Sequence, residues 1–263
     1  MSIEDYRDEE APRPEATPDP PSFPRFAWTT MRESMAAHGW VNGTLYVLSR
    51  ALARASRGRC ALFKYYFVAQ PVPGQPKAVS RQPGLLKVYR VSGSESIVGR
   101  FPRPPEIIAR RFADGATCFV AERNGVLAGF IWLKLDRYEE DEVRCDYLVD
   151  SRRGIGWDFD AWVAPEFRMT RTFIHLWEAA NDYLRSHGCG WSASRISAFN
   201  PVSLASHRRM GAVRLHAGIF LILGSAQLAL FSRRPYIHFG AGERNRPELV
   251  FRPPSEARSA SRP

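Results

Sequence analysis

Two arginines, Arg168 and Arg171, stand directly before a segment with the periodicity of an α-helix. From Thr172 to His187 the apolar residues recur on one helix face, and Gly188 ends the pattern. Because the first turn of a helix presents free backbone N–H groups and the positive end of the helix dipole, it favours an anion such as phosphate. Guanidinium groups nearby strengthen that preference. These residues predict either a phosphate-binding turn or two solvated arginines in a loop.

The predicted strand that leads into this turn carries two carboxylates. Residues 157–163 alternate in a strand-like pattern, and Pro165 ends the strand. Because successive side chains of a strand point to opposite faces, one face is predicted to carry Asp158, Asp160 and Trp162. The other face is predicted to carry Trp157, Phe159, Ala161 and Val163. The sequence thus places both aspartates on the same side of the strand.

A second, shorter helix is predicted further along the chain. Asn200 and Pro201 form its expected start, since asparagine caps helices and proline favours the first helical position. The helix is predicted to run to Met210, with Gly211 as its stop. It carries His207, whose imidazole is a candidate for proton transfer near neutral pH.

The remaining patterns are those of a sheet that positions these residues. Strands are predicted at 60–69, 85–91, 117–122, 126–135, 143–149, 191–198, 213–223 and 227–231. Asn124 and Gly125, between two apolar runs, predict a tight hairpin. Residues 44–57 form a basic amphipathic helix that either lies on the sheet or docks on a membrane surface or a partner. The order of elements predicts an α/β or α+β fold with three layers.

The chain is strongly basic outside its first residues. Its net charge is +10, and residues 1–25 carry −4, which leaves +14 for the remainder. That excess favours an acidic partner, such as a phosphate-bearing cofactor, an acidic carrier protein, nucleic acid or an anionic membrane, or it simply keeps the surface soluble. Nucleic acid is disfavoured because the arginines are dispersed and no recognition helix or RNA-binding strand motif is visible.

The four cysteines have neither CxxC nor Cys/His spacing: Cys60, Cys118, Cys145 and Cys189. This spacing argues against a disulfide framework and against a zinc site, so no metal is expected and a reducing cytoplasm is the expected location. Neither a signal peptide nor an apolar run of about 20 residues, the length that spans a bilayer, is visible in the sequence.

Over Leu85 to Phe231, the order of elements and the residues at the turns resemble the GNAT superfamily of acyl-CoA-dependent N-acyltransferases. The matching positions are Gly125, Gly129, Val163, Pro165, Arg168, Asn200, Ser203, His207 and Gly211. The resemblance implies a mixed, mostly antiparallel and twisted sheet flanked by helices. The chain then divides into a disordered acidic tail at 1–25, a helical and strand extension at 26–84, a GNAT-like acyltransferase domain at 85–251 and a disordered basic tail at 252–263.

The resemblance also implies which residues contact an acyl donor. The pyrophosphate is expected at Arg168, Met169, Thr170, Arg171, Thr172 and Phe173, the pantetheine arm at Ala161, Trp162 and Val163, and the thioester near Asn200, Ser203 and His207. The family usually has glycine where this chain has Arg171 and Phe173. Three alternatives follow: guanidinium contacts replace the backbone cradle, the donor is the phosphopantetheine arm of an acidic acyl carrier protein, or no thioester is bound.

For the reaction, the resemblance implies direct attack of a neutral amine on the thioester. Asp158 and Asp160 are then the candidates for removing a proton from the amine. His207 holds the position from which the family's tyrosine protonates the leaving thiolate, work that an imidazole can do. Alternatively, the aspartates point to solvent or pair with arginines, and His207 only covers its helix.

The predicted function is therefore N-acyl transfer to a small-molecule amine. The expected donor is acetyl-CoA or another acyl-CoA, with an acyl carrier protein as the alternative donor. A GNAT-like scaffold without catalysis is the alternative function. The oligomeric state stays open, a homodimer included.

Overall fold

The computed structural model describes residues 23–74, 86–242 and 244–254, with side chains from residue 39 onward. The tails predicted at 1–25 and 252–263 fall almost entirely outside these residues. The helices of the described chain are α1 (Phe23–Ala55), α2 (Pro105–Ala113), α3 (Thr172–Ser186) and α4 (Pro201–Arg209). Short 3₁₀ turns lie at Ser96–Arg100, Ser151–Arg153 and Pro165–Phe167.

The strands of the described chain form a large sheet and a small one. They are β1 (Cys60–Pro71), β2 (Leu86–Val91), β3 (Thr117–Arg123), β4 (Val126–Lys134), β5 (Arg137–Glu139), β6 (Asp146–Leu148), β7 (Ile155–Val163), β8 (Trp191–Ser197), β9 (Val213–Leu223), β10 (Ala226–Phe231), β11 (Ile237–Ala241) and β12 (Glu248–Val250). The large sheet has the order β11-β10-β9-β1-β8-β7-β4-β3-β2, and the small sheet has the order β12-β6-β5. In the large sheet β7 and β8 run parallel, whereas the other neighbours are antiparallel. The predicted fold class is confirmed.

β1 lies in the middle of the large sheet, although it comes from the predicted N-terminal extension. It pairs with β8 on one side and with β9 on the other. Tyr65 and Phe67 are buried on one face and Val68 on the other, as expected for a strand covered on both faces. Residues before position 85 therefore supply a central strand, while the predicted domain boundaries stay predictions.

One face of the large sheet is covered by α3 and is called the α3 face below. Leu176, Trp177 and Leu184 of α3 pack there against Ile131 and Leu133 of β4. Burying a large apolar side chain of this kind stabilises the fold by about 2 kcal/mol. The apolar face of α3 thus packs on β4 and fixes the position of the helix and of the turn that precedes it.

The opposite face, called the α2 face, is covered by α2 and the small sheet. Ile108 of α2, Tyr147 of β6 and Leu249 of β12 pack there with Trp132 and Trp157. The strand predicted at 143–149 is shorter, Asp146–Leu148, and belongs to the small sheet. β5, β11 and β12 were not predicted, because strands of three to five residues show too little alternation to be recognised.

Several local predictions agree with the structure. Asn124 and Gly125 have φ angles of 51° and 78°, as the predicted tight hairpin requires. The helix predicted at 44–57 is the second part of α1, which bends at Gly39, where φ is 76° and ψ is 165°. This part lies against β1, and Asn42 hydrogen-bonds Tyr66 at 3.0 Å. Among the described residues, no helix combines the length and the apolar character needed to cross a bilayer.

Candidate functional site

The two parallel strands β7 and β8 separate part of the way along their length. Their register ends at Trp157 and Ala193, although β7 continues to Val163 and β8 to Ser197. Beyond that point each strand pairs only with its outer neighbour, β7 with β4 and β8 with β1. A wedge-shaped opening therefore forms in the sheet, and the predicted pantetheine residues 161–163 lie on its β7 side.

The prediction that Asp158 and Asp160 share one face is wrong. Opposite Ile131 of β4, β7 places two residues, Asp160 and Ala161, so the strand has a β-bulge there. The φ angle of Asp160 is +46°, which belongs to the left-handed region. The extra residue reverses the alternation, so that Asp158 lies on the α3 face and Asp160 on the α2 face. The sequence could not reveal this, because the bulge is defined by pairing with β4.

Asp158 lies buried at the start of the opening, with only 3% of its surface exposed. The Ser192 hydroxyl of β8 donates a hydrogen bond of 2.5 Å to its Oδ2. Burial raises the pKa of Asp158 to about 6, while the charge of nearby His207 and the Ser192 hydrogen bond oppose part of the rise. The Ser194 hydroxyl also favours the ionised form, although it makes no hydrogen bond of normal geometry. Asp158 can therefore exchange a proton near neutral pH.

His207 approaches the same place from α4 and is 8% exposed. Its Nδ1 donates a hydrogen bond of 2.9 Å to the Ser203 carbonyl oxygen, which assigns the proton to Nδ1 in the neutral ring. Nε2 then has the lone pair that can accept a proton and later release it. The ring also packs edge-on against Trp177 of α3, at 6.0 Å between centroids. Three elements, β7, α3 and α4, thus converge at the opening.

The start of α4 follows the predicted capping pattern. The Asn200 side chain accepts a hydrogen bond from the Ser203 N–H at 3.0 Å, and Pro201 occupies the first turn. Asn200 and Ser203 therefore fix the helix that carries His207. Any contact of theirs with a donor stays a prediction.

The predicted phosphate turn is exposed and positively charged. Arg168 donates through Nε to the Val163 carbonyl at 3.3 Å, and Arg171 occupies the position before α3. Neither arginine has a carboxylate partner among the described residues. Met169 between them is 98% exposed. The Thr172 N–H donates to the Thr170 hydroxyl at 3.3 Å, and the Arg171 side chain makes no capping hydrogen bond, so the later N–H donors of the first turn of α3 can bind other groups.

The backbone at the two positions without glycine has no conformation that requires glycine. Arg171 has φ −78° and ψ 5°, a conformation open to any residue. Phe173 is half-buried, and its ring packs against Trp177 at 6.2 Å between centroids, towards the core of the α3 face. Thr170 and Thr172 complete the turn, with their hydroxyl oxygens 2.8 Å apart. Phe173 is therefore part of the packing between α3 and the sheet.

Asp160 is part of a different network, on the α2 face. Arg103 donates through Nε at 2.9 Å, and Arg111 donates through Nη1 at 2.5 Å, both to Oδ2 of Asp160. Arg111, 8% exposed, also pairs with Asp141 at 2.7 Å and lies over the Phe159 ring. Asp160 thus pairs with arginines, which was the alternative to its acid–base role, and it does not lie with His207.

Sequence reasoning missed the partners of both aspartates. Ser192 and Ser194 interrupt the apolar pattern of β8 with small polar residues on one face, and that alternation was a usable signal. Arg111 lies between apolar residues on the buried face of α2, which signals a buried ion pair. No group of three or more His, Cys, Asp or Glu suited to a metal ion occurs in the described part of the chain.

Residues 87–212 match the model of the Acetyltransferase (GNAT) family. The match over these residues supports membership of the GNAT superfamily. No curated protein matches the sequence of this chain. The family supports acyl transfer as the general class of reaction.

Solved structures are similar to this chain at low sequence identity. A conserved protein of unknown function from Staphylococcus epidermidis ATCC 12228 has 11% identity and a TM-score of 0.42, over 68% of this chain and 67% of that protein. A GNAT-family protein from Novosphingobium aromaticivorans DSM 12444 has 13% identity and a TM-score of 0.39, over 60% and 62%. The tandem GNAT protein of the clavulanic acid biosynthesis pathway has 13% identity and a TM-score of 0.44, over 64% and 56%. The chain thus spans about two thirds or less of these proteins.

Proposed function

We propose that this protein is an N-acyltransferase that moves an acyl group, in the first instance acetyl from acetyl-CoA, to an amine by direct attack. The observation that carries the proposal is the meeting of Asp158 and His207 where β7 and β8 separate. A buried carboxylate with a pKa of about 6 and an imidazole interact electrostatically there. Titratable groups arranged in this way at a cleft are typical of acid–base chemistry.

The residues present fit an acyl-CoA at two places. Where β7 and β8 part, backbone groups of residues 161–163 that face the opening have no strand partner within the described chain, so they can bind amide groups of a pantetheine arm. Arg168 and Arg171, together with the first turn of α3, can bind the phosphates. When bound, the thioester supplies the carbonyl carbon that is attacked and the thiolate that leaves.

The residues of the opening then divide the proton transfers. Asp158, ionised above about pH 6, removes a proton from the acceptor amine. His207, held through its Nδ1 by the Ser203 carbonyl, accepts that proton from Asp158 at Nε2 and releases it to the departing sulfur. Trp177 packs against the ring of His207 from the side of α3. Asp160 instead accepts hydrogen bonds from Arg103 and Arg111 on the α2 face.

An acyl carrier protein is the second candidate donor. The turn of Arg168, Met169 and Arg171 is exposed and basic, and the chain beyond residue 25 has a charge of +14. An acidic carrier protein can contact such a surface with many side chains, whereas CoA uses only its phosphates. This candidate changes the donor and leaves the roles of Asp158 and His207 unchanged.

Calorimetric titration with acetyl-CoA, a long-chain acyl-CoA and an acyl carrier protein tests the proposal. We expect one donor to bind, and we expect Arg168→Ala/Arg171→Ala to weaken that binding about tenfold or more. Arg50→Ala/Arg54→Ala is the matched control, because it removes two exposed arginines from α1 and should leave the affinity unchanged. Thiol release with a panel of amines is then measured. Failure of every donor to bind contradicts the proposal, and binding without thiol release for any amine favours the noncatalytic scaffold.

A further inference from the structure

A second feature of the α3 face is an open cavity of about 470 Å³. It lies between α4 and α1 above β1, β8 and β9, and its apolar lining includes Val68, Ile196 and Leu204. Leu204 of α4 lines the cavity, whereas Met210, after the end of α4, packs with the α3 core. The cavity shares His207 with the opening, but its lining includes no residue of the turn at 168–173 and none of residues 161–163. Its volume is that of a site for a small organic molecule.

The polar lining of this cavity is cationic. Arg208 and Arg214 line it, both are exposed, and no Asp or Glu is among its lining residues. The Arg214 guanidinium is held over the Tyr66 ring at 3.9 Å from the centroid, and Asn42 hydrogen-bonds the hydroxyl of that ring. Neither arginine forms an ion pair within the described chain. A fixed guanidinium beside an apolar wall is suited to a carboxylate or phosphate attached to an apolar body.

His207 connects the cavity to the opening between β7 and β8. Its ring lines the cavity, and the same ring packs against Trp177 and lies close to Asp158. Direct transfer requires two substrates to reach one reacting centre along separate paths. With the donor on the α3 side of His207, the cavity is the second path to the same imidazole.

We propose that this cavity binds the acyl acceptor, and that the acceptor is an amine that also carries an anionic group, carboxylate or phosphate, on an apolar body. The inference rests on the proposed acyl transfer and names its substrate class. Arg208 and Arg214 bind the anionic group, the apolar wall contacts the body, and the amine lies at His207. The acceptor nitrogen bonds to the acyl carbon, the carbon–sulfur bond breaks, and the proton lost by nitrogen ends on sulfur.

Matched acceptors that differ only in charge provide the test. Phenylalanine and phenylalaninamide form the carboxylate pair, and phosphoethanolamine and ethanolamine form the phosphate pair. Within each pair, kcat/KM for the anionic amine is divided by kcat/KM for its partner without the anionic group. This ratio is compared between the wild type and Arg208→Gln/Arg214→Gln, so that the intrinsic reactivity of each amine cancels. For one pair we expect the double substitution to lower the ratio about tenfold or more, because two charge-assisted contacts are lost.

Two further variants separate the loss of charge in the cavity from other effects of substitution. Arg50→Gln/Arg54→Gln removes the same charge from α1 outside the cavity and should leave every ratio unchanged. Leu204→Trp fills the cavity without a change in charge and should raise the KM of the preferred acceptor. Circular dichroism and the thermal midpoint establish that each variant is folded.

Binding without turnover is measured in parallel. Calorimetry with 3-phenylpropionate and with inorganic phosphate, in the absence of a donor, should detect binding that Arg208→Gln/Arg214→Gln abolishes. Ratios that stay unchanged in the double variant, while amines are acylated, overturn this inference and leave the acyltransferase intact. Acylation of no amine at all, with ligand binding to the cavity retained, instead overturns the proposed function.

Discussion

Asp158 and Asp160 are separated by one residue on β7, yet they lie in opposite environments. Asp158 is buried on the α3 face, receives a hydrogen bond from Ser192, and has a pKa raised to about 6 by that burial. Asp160 lies on the α2 face between the guanidinium groups of Arg103 and Arg111. One bulge produces this difference, because it turns two neighbouring carboxylates to opposite sides of the sheet.

The comparison shows how surroundings assign roles to two identical side chains. A carboxylate without a paired cation in a buried site can gain and lose a proton near neutral pH. A carboxylate whose oxygens are occupied by two arginines instead anchors neighbouring elements, here α2 and the segment before it. Asp158 is thus the candidate for chemistry and Asp160 for structure, and the following predictions test that division.

The largest effect is expected on turnover. Asp158→Asn removes the proton acceptor with little change in shape, so kcat should fall about 100- to 1,000-fold. Asp160→Asn should keep kcat within a few fold of the wild type in the folded protein. Steady-state thiol release measures both. Equal losses of kcat in the two variants would contradict the division of roles.

A slightly smaller effect is expected for the partner of Asp158. His207→Ala should lower kcat about 100-fold and leave the affinity for the donor nearly unchanged. Because the ring lines an open cavity, added imidazole should restore part of the activity. Loss of donor affinity instead, with no rescue by imidazole, would mean that His207 only supports α4.

Unlike turnover, the stability of the fold should depend strongly on Asp160. Asp160→Asn leaves the buried Arg111 with one carboxylate, Asp141, and should destabilise the fold by about 3 kcal/mol. Asp182→Asn breaks an exposed ion pair with Arg185 on α3 and should cost less than about 1 kcal/mol. Urea unfolding at neutral pH measures both, and similar costs for the two substitutions would remove the structural role of Asp160.

Asp158 should also leave a signature in the pH dependence of stability. Its folded pKa of about 6 lies above the ordinary 3.8, so its stabilising contribution is complete below about pH 4 and is lost as the pH rises through 6. The shift corresponds to between about 2 and 3 kcal/mol. Relative to the wild type, Asp158→Asn should therefore become more stable by that amount between these pH values. If the free energies of unfolding of the two proteins instead change with pH in parallel, the pKa of Asp158 is not raised.

The smallest effect is expected at the turn. Arg168→Ala should raise the KM for the donor about fivefold, or about 1 kcal/mol, with kcat nearly unchanged. Raising the salt concentration should reduce this difference, because exposed charges are screened. Determination of KM at low and high salt provides the check. A change confined to kcat would place Arg168 at the reacting centre instead.

Much of this fold could be predicted because its signals are local. The Asn124-Gly125 hairpin, the apolar stripe of α3 and the Asn200 cap of α4 each depend on a few neighbouring residues. The place of β1 between β8 and β9 could not be predicted, since strand order depends on contacts between distant parts of the chain. The same limit applies to the short strands of the small sheet.

The candidate site shows the same division. The family resemblance directed attention to Asp158 and His207, but alternation alone placed Asp160 beside them. Only the pairing of β7 with β4 reveals the bulge that separates the two aspartates. The cavity beside His207 could not be anticipated either, because α1 and β1, which help to form it, come from the segment predicted as an extension.

The pH profile of kcat/KM tests the central claim most directly. Since Asp158 must be ionised to accept a proton, kcat/KM of the wild type and of Asp160→Asn should fall below about pH 6 with the slope of a single proton. In Asp158→Asn the residual kcat/KM should not fall in this pH range. A fall of kcat/KM with the same midpoint in Asp158→Asn would contradict the assignment of Asp158 as the base.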